Sequence, residues 1–387
     1  MIPFRYNIRS LLARKATTAA TALGIALVVF VLATVLMASA GIDKTLGSSG
    51  RADNAVVLRK GSDAELNSNI DAASVGLILA APGAKLNDKG APVGVGEVVV
   101  VLALEKIGDP GFTNVLLRGV PDDALAFRSG ARVTSGRSPK PGSDEALIGK
   151  RLQGRFKGFQ VGQSFELRKN RQVSVVGIFE DDGSSFESEV WADIDTVRSG
   201  LGREGLVSSV RVRLESASKF EAFKGSVESD KNLGFEVMRE PEFLEKQASG
   251  LRIFVTALGG VLAVFASVGA MVGAMITMYG SIASRQREIG TLRALGFPRW
   301  QILLAFMLEC ALLSVCGGTV GALAATGLRF GSFSMVNFTS WSEMVFTFQP
   351  TISVIATSLI AALAMGILGG FLPAIRAARV SPIQAMR

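Results

Sequence analysis

Hydrophobic and polar positions are distributed very unevenly along this chain. Four apolar stretches, residues 16–42, 253–279, 301–328 and 350–375, each exceed the roughly 20 residues that a helix needs to cross the hydrocarbon core. Three carry no charge and the third holds only Glu309, so the pattern predicts four transmembrane helices. Residues 43–250, between the first two stretches, alternate instead in short β-type and helical runs. Runs rich in β-formers fall at 55–58, 97–104, 114–120, 164–168, 172–179 and 209–214. Helical patterns fall at 71–81, 145–156, 191–201 and 219–227, with Pro-Gly, Asp-Gly and Gly-Ser breaks between them. The expectation is an α+β domain with two lobes, the second near 107–204, and a helix over 240–252 that runs into the second span.

The remaining segments are short. Residues 1–15 pattern as an amphipathic arm, with Phe4, Ile8, Leu11 and Leu12 at helical spacing and Arg5 and Arg9 on another side. That arm ahead of an apolar run also suits a cleavable leader, but the run is longer than a leader core and a retained anchor is expected. Residues 280–300 form a loop between the second and third spans, and 376–387 form a tail, in which Ser381, Pro382 and Gln384 suit a capped helix start.

Charge then orients these elements, because short cytoplasmic segments are enriched in Lys and Arg. The arm has four cations and no acid, the 280–300 loop has Arg285, Arg287, Arg293 and Arg299 against Glu288, and the tail adds Arg376, Arg379 and Arg387. The 329–349 loop has only Arg329 and Glu343. Both termini and the 280–300 loop are therefore expected in the cytoplasm, and 43–250 outside it. Residues 41–250 carry a net charge of −2 and the remainder +10, so the overall +8 reports topology and gives no reason to expect a nucleic-acid partner.

Chemistry is mostly excluded. The chain has no histidine, which removes Ser-His and Cys-His catalysis and zinc-histidine sites, and its two cysteines, Cys310 and Cys316, both lie in the third span. Gly149-Lys150 is followed by Arg151 where a phosphate loop needs Ser or Thr, and Asp144 replaces the earlier glycine. No catalytic, cofactor or metal residue is expected, and if ATP is used, another subunit binds it. Glu180, Asp181, Asp182, Glu187 and Glu189 lack EF-hand spacing and read as a solvated hairpin turn. Phe330, Phe333, Phe338, Trp341, Phe346 and Phe348 read as an interfacial aromatic belt.

What remains concerns packing and docking. Glu309 is a carboxylate inside a span, expected to snorkel or to pair with a basic residue of the 280–300 loop. Gly269 and Gly273, Gly317 and Gly321, and Gly366 and Gly370 are spaced for close helix contact within the chain or across a dimer. In SRQREIGTLRALGFPRW, Ile289, Leu292 and Leu295 form an apolar stripe on a helix over 284–295, Arg285 and Glu288 are i,i+3 neighbours, and Gly296 and Pro298 punctuate its end.

REIGTLRALG at 287–296, Glu309 with Gly317, Gly318 and Gly321, and the terminal LPAIRAARVSPIQAMR resemble the FtsX-like permease domain of MacB-type ABC transporters. NIRSLLARKATTAATALGIAL resembles the first helix of that family, and LLRGV, EALIGKRLQGRF and VSVVGIFE resemble its extracytoplasmic core. The resemblance implies a homodimeric or heterodimeric permease in a bacterial inner membrane, acting with a separate ABC ATPase and sometimes a periplasmic adaptor. Arg285, Arg287, Glu288, Ile289, Leu292 and Arg293 would form the coupling element. ATP-driven closure would move the outer domain by mechanotransmission, driving export or extraction; a signalling subunit that regulates a cell-wall hydrolase is the alternative. Some relatives carry a fused ATPase domain, which is not expected here.

Overall fold

A computed structural model describes residues 15–47, 50–108, 110–229 and 234–380. The amphipathic arm and the capped tail fall outside the described residues. The chain divides into two compact units, residues 1–41, 254–331 and 347–387, and residues 42–253 and 332–346.

The second unit, here the outer unit, is built on a mixed sheet. Its strands are β1 (Asn54–Arg59), β2 (Ile70–Asp71), β3 (Gly94–Glu105), β4 (Phe112–Val120), β5 (Ala131–Gly136), β6 (Glu145–Gly149) and β7 (Ser164–Arg168). They continue with β8 (Arg171–Asp181), β9 (Glu189–Asp193), β10 (Leu206–Val207), β11 (Ser209–Arg213) and β12 (Phe235–Arg239). Ten of them run in the order β12-β1-β11-β3-β4-β9-β6-β8-β5, with β7 paired to β8, while β2 and β10 pair separately. β4 with β9 and β6 with β8 are parallel, and the other neighbours are antiparallel. β5 to β9, all between 131 and 193, lie on the β4 side of the β3–β4 pair, which makes one lobe of the domain; β1, β11 and β12 lie on the β3 side.

β-branched runs explain the long strands: Val98, Val99, Val100 and Leu102 of β3 are all buried, as are Val115, Leu116 and Leu117 of β4. Short helices close the faces. The helix Ile194–Leu201 starts where the Asp193 carboxylate accepts from the amides of Asp195 and Thr196, and it stops at Gly202 with φ 65°.

One element differs from the sequence expectation. Residues 145–156 pattern as a helix, but the chain forms β6 and then a single 3-10 turn, Lys150–Leu152. β6 lies between β8 and β9, so Ala146, Leu147 and Ile148 are buried on both faces and tertiary pairing overrides local propensity. Gly149 is required there, since a Cβ would collide with the Glu187 carbonyl oxygen. Likewise Trp191 belongs to β9 and not to the helix that follows.

The 329–349 loop is also not a plain belt. Its residues Ser332–Asn337 (β13) and Ser342–Thr347 (β14) pair as a hairpin, and 332–346 belong to the outer unit. Phe346 and Phe348 are buried, whereas Phe330, Phe333, Phe338 and Trp341 are exposed, so two of the six aromatic residues serve packing.

The first unit holds the apolar helices. The four helices long and apolar enough to span are Lys15–Gly47, Glu240–Ser284, Arg299–Phe330 and Ile352–Ala378. Glu240–Ser284 is a single helix whose first residues belong to the outer unit, as the sequence predicts. Small residues set the packing of the third span: a Cβ at Gly317 would lie 2.5 Å from the Ala22 carbonyl oxygen, and one at Gly321 would collide with that of Ala26. Gly366 and Gly370 of the fourth span face Ser314 and Cys310 in the same way. Gly269 and Gly273 have no neighbour within 4 Å of such a Cβ, so they make no close contact among the described residues.

Candidate functional site

The short helix Gln286–Ala294 between the second and third spans is fastened to the membrane unit on one side. Ile289 is buried in a cluster with Met278 and Ile282 of the second span, Ile302 and Phe306 of the third and Ala374 and Ala377 of the fourth. Beside it Arg285 donates from Nη1 to Glu309 Oε2 at 3.2 Å and from Nε to Glu288 Oε2 at 3.2 Å, with its guanidinium 5.5 Å from the centre of the Phe306 ring. Arg285 and Glu309 are both buried, so each charge has an opposite charge beside it. The sequence expectation that Glu309 pairs with a loop cation thus has a specific partner. A cavity of about 40 Å³, lined by Thr17, Thr21, Thr277, Ser314 and Glu309, adjoins the pair.

At the other end of the helix Arg293 donates from Nη1 to the Phe297 carbonyl at 3.0 Å, and Gly296 takes φ 90°, which closes the helix. The outward face carries Arg287, Glu288, Thr291 and Leu295. The apolar stripe is therefore divided. Ile289 is buried, Leu292 is half-buried, and Leu295 is 72% exposed because the helix ends before it.

Local sequence pattern carries no sign of the outer unit's ionic core. The Arg118 guanidinium donates to Glu189 at 2.7 and 2.9 Å, to Glu65 at 3.0 Å from two nitrogens, and to Glu97 at 2.9 Å. Arg211 donates to Glu65 at 3.0 Å, to Glu97 at 3.3 Å and to Glu240 at 2.6 Å, and Arg128 reaches Glu97 at 2.7 Å while lying over Phe186 and Trp191. Asn54 adds a bond to Glu240 at 2.6 Å, so the first residue of the second span's helix is tied to β1 and β11. Burial pushes the Glu65 carboxyl up, but Arg118 and Arg211 outweigh it and hold it well below the usual carboxylate range. Against the same burial, Arg128, Arg118 and Arg211 hold Glu97 low.

The acidic turn is also more than a solvated hairpin. Asp182 and Gly183 form its tip with positive φ, and Asp182 is exposed. Asp181, Glu187 and Glu189 are buried: Glu187 accepts from the amides of Asp181 and Gly183 and pairs with Arg151, and Glu189 pairs with Arg118 and accepts from the Trp191 indole. Burial raises the Asp181 carboxyl, with Ser184 and Arg128 opposing.

The profile of the FtsX-like permease C-terminal family matches residues 260–382, and that of the MacB-like periplasmic core domain matches 16–230, more than half of the chain. The chain belongs to the MacB/FtsX family of ABC transporter permeases, membrane proteins with an extracytoplasmic domain. It is 29% identical over 207 residues to the uncharacterized ABC transporter permease YknZ of Bacillus subtilis, covering 52% of this chain and 49% of that one. It is 28% identical over 298 residues to the macrolide export ATP-binding/permease protein MacB of Burkholderia cenocepacia, covering 72% of this chain and 40% of that one. The chain thus spans about half or less of the length of these two relatives. Among solved structures, the extracellular domain of YknZ matches 48% of this chain with 16% identity and a TM-score of 0.37.

Proposed function

We propose that this chain is the permease subunit of an ABC transporter that turns ATP binding and hydrolysis on a separate ATPase into movement of its extracytoplasmic domain. That movement drives export or extraction of a substrate. Both termini and the 280–300 loop lie in the cytoplasm, and the working form contains two permease subunits, joined in some systems by a periplasmic adaptor. The observation that carries this reading is the helix Gln286–Ala294, clamped by Ile289 and by Arg285 with Glu309 while Arg287 and Leu295 stay exposed. A helix fixed on one face and presenting a cation and an apolar side chain on the other suits a protein partner. Force received there would pass to the second and third spans that flank the helix.

The test is copurification of the ABC ATPase with the full chain, and its ATP hydrolysis in nanodiscs. Arg287→Glu combined with Leu295→Asp should weaken association at least about tenfold, or about 1.4 kcal/mol. Unchanged association and unchanged stimulated hydrolysis would refute the proposal.

A further inference from the structure

The sequence motif EALIGKRLQGRF fails as a phosphate loop, yet the structure gives its cations a task. Arg155 donates from Nη2 to Glu343 Oε1 and, at 2.9 Å, to Ser334 Oγ. Lys106, just past the end of β3, donates to both oxygens of Glu343 at 3.0 Å. Arg151 donates to the Val345 carbonyl, Ser188 Oγ accepts from the Val345 amide at 3.1 Å, and Asn114 Nδ2 donates to the Trp341 carbonyl at 2.9 Å. Glu343, Met344, Val345 and Phe346 are all buried. The β13–β14 hairpin is therefore held to the outer unit by a buried carboxylate between two cations, by bonds along its length and by apolar burial. In the chain, the same hairpin is the connection between the third and fourth spans.

We propose that hairpin 332–346 is a permanently docked strap through which the third and fourth spans, in addition to the first and second, act on the outer domain, with Glu343 its positioning residue. This rests on the proposed function, in which the outer domain moves. A carboxylate shared by Lys106 and Arg155 suits that task, since desolvated, charge-assisted hydrogen bonds resist lateral slip better than apolar contact alone. Lys106 and Arg155 come from adjoining segments: the Ile107 amide donates to the Arg155 carbonyl at 2.8 Å, and Lys106 and Phe156 form a β-bridge. The strap thus grips two segments that a β-bridge and a backbone hydrogen bond hold to each other.

The test uses the full chain with its ATPase in nanodiscs, reading hydrogen exchange over residues 112–193 with and without ATP and vanadate. Glu343→Gln should keep ATP hydrolysis but lose about half or more of the nucleotide-dependent change in exchange. Asn114→Cys with Trp341→Cys, joined by a bismaleimide in a chain carrying Cys310→Ala and Cys316→Ala, should restore that change to the Glu343→Gln protein. Lys106→Met, which leaves Arg155 in place, provides a milder variant should Glu343→Gln not fold, and the same restoration is expected of it. A full response in the unlinked variant, or no restoration by the link, would overturn the strap while leaving the proposed function standing. No nucleotide-dependent change in the unmodified protein would overturn both.

Discussion

Both units bury charge, and the outer unit does so with many groups in one network. In the outer unit Arg118, Arg128 and Arg211 share Glu65, Glu97, Glu189 and Glu240, so most members touch more than one partner. In the membrane unit Arg285 is shared between one buried carboxylate, Glu309, and the exposed Glu288. A network ties many strands at once and is rigid, because no member can move without stranding several others. The Arg285–Glu309 contact joins the start of a short helix to the third span. On the proposed function, the network would let the outer unit move as a body, and the Arg285–Glu309 contact would tie the input helix to the third span.

The largest effect should come from removing the centre of the network. Arg118→Met leaves three buried carboxylates short of a partner and should cost about 3–5 kcal/mol, whereas Arg285→Met takes a partner from one buried carboxylate, Glu309, and should cost about 2–3 kcal/mol. Thermal unfolding of the full chain in nanodiscs, followed by tryptophan fluorescence, measures both. Equal losses, or a larger one for Arg285→Met, would break the comparison. Arg118→Lys should rescue little, since one ammonium cannot serve three carboxylates in the geometry of a guanidinium.

Acid should sharpen the same contrast with a smaller effect. Glu65 and Glu97 have folded-state values below their unfolded ones, so their contribution is complete above the ordinary carboxylate value of about 4.3 and is lost as pH falls through the folded values. Asp181 is raised, so it runs the other way: the folded state takes up its proton first, and its burial penalty is relieved as pH falls. The melting temperature of the outer unit should therefore stay level from neutral pH to about 5 and drop below about 4. A decline that begins near neutrality would mean that the network carboxylates are not held low.

Much of this was legible in the sequence, and the failures share a cause. The four spans, the strands at 97–104, 164–168 and 172–179 and the helix leading into the second span rest on local pattern, and the structure has them. Glu97, Arg118 and Arg211 stand in strands amid apolar neighbours, which reads as ordinary alternation toward solvent. Their partners lie 21 to 146 residues away, as with Arg118 and Glu97 or Arg211 and Glu65, and no local window contains such a pair. A still longer separation hides Glu343 from Lys106, 237 residues earlier, so nothing local shows that the aromatic-rich loop also forms a hairpin packed on the outer unit. The Arg285–Glu309 pair, no closer in sequence at 24 residues, was foreseeable because Glu309 is the one charge in an apolar span and lies about two turns from a loop rich in arginine.

The smallest expected effects separate glycines that sequence treats alike. Gly321→Ala would drive a methyl group into the Ala26 carbonyl, which cannot retreat without shifting the first span, and should cost about 1–3 kcal/mol. Gly269→Ala and Gly273→Ala meet nothing within 4 Å and should change the stability of the single chain by less than about 0.5 kcal/mol. The second span is also the least covered by its own chain, with 11% of its most apolar window buried against 50% for the first span. If Gly269 and Gly273 contact a second permease subunit, Gly269→Leu with Gly273→Leu should leave unfolding unchanged and reduce copurification of differently tagged copies. If that double variant still assembles normally, those glycines serve lipid-facing surface alone, and the close packing of small residues belongs to the third and fourth spans.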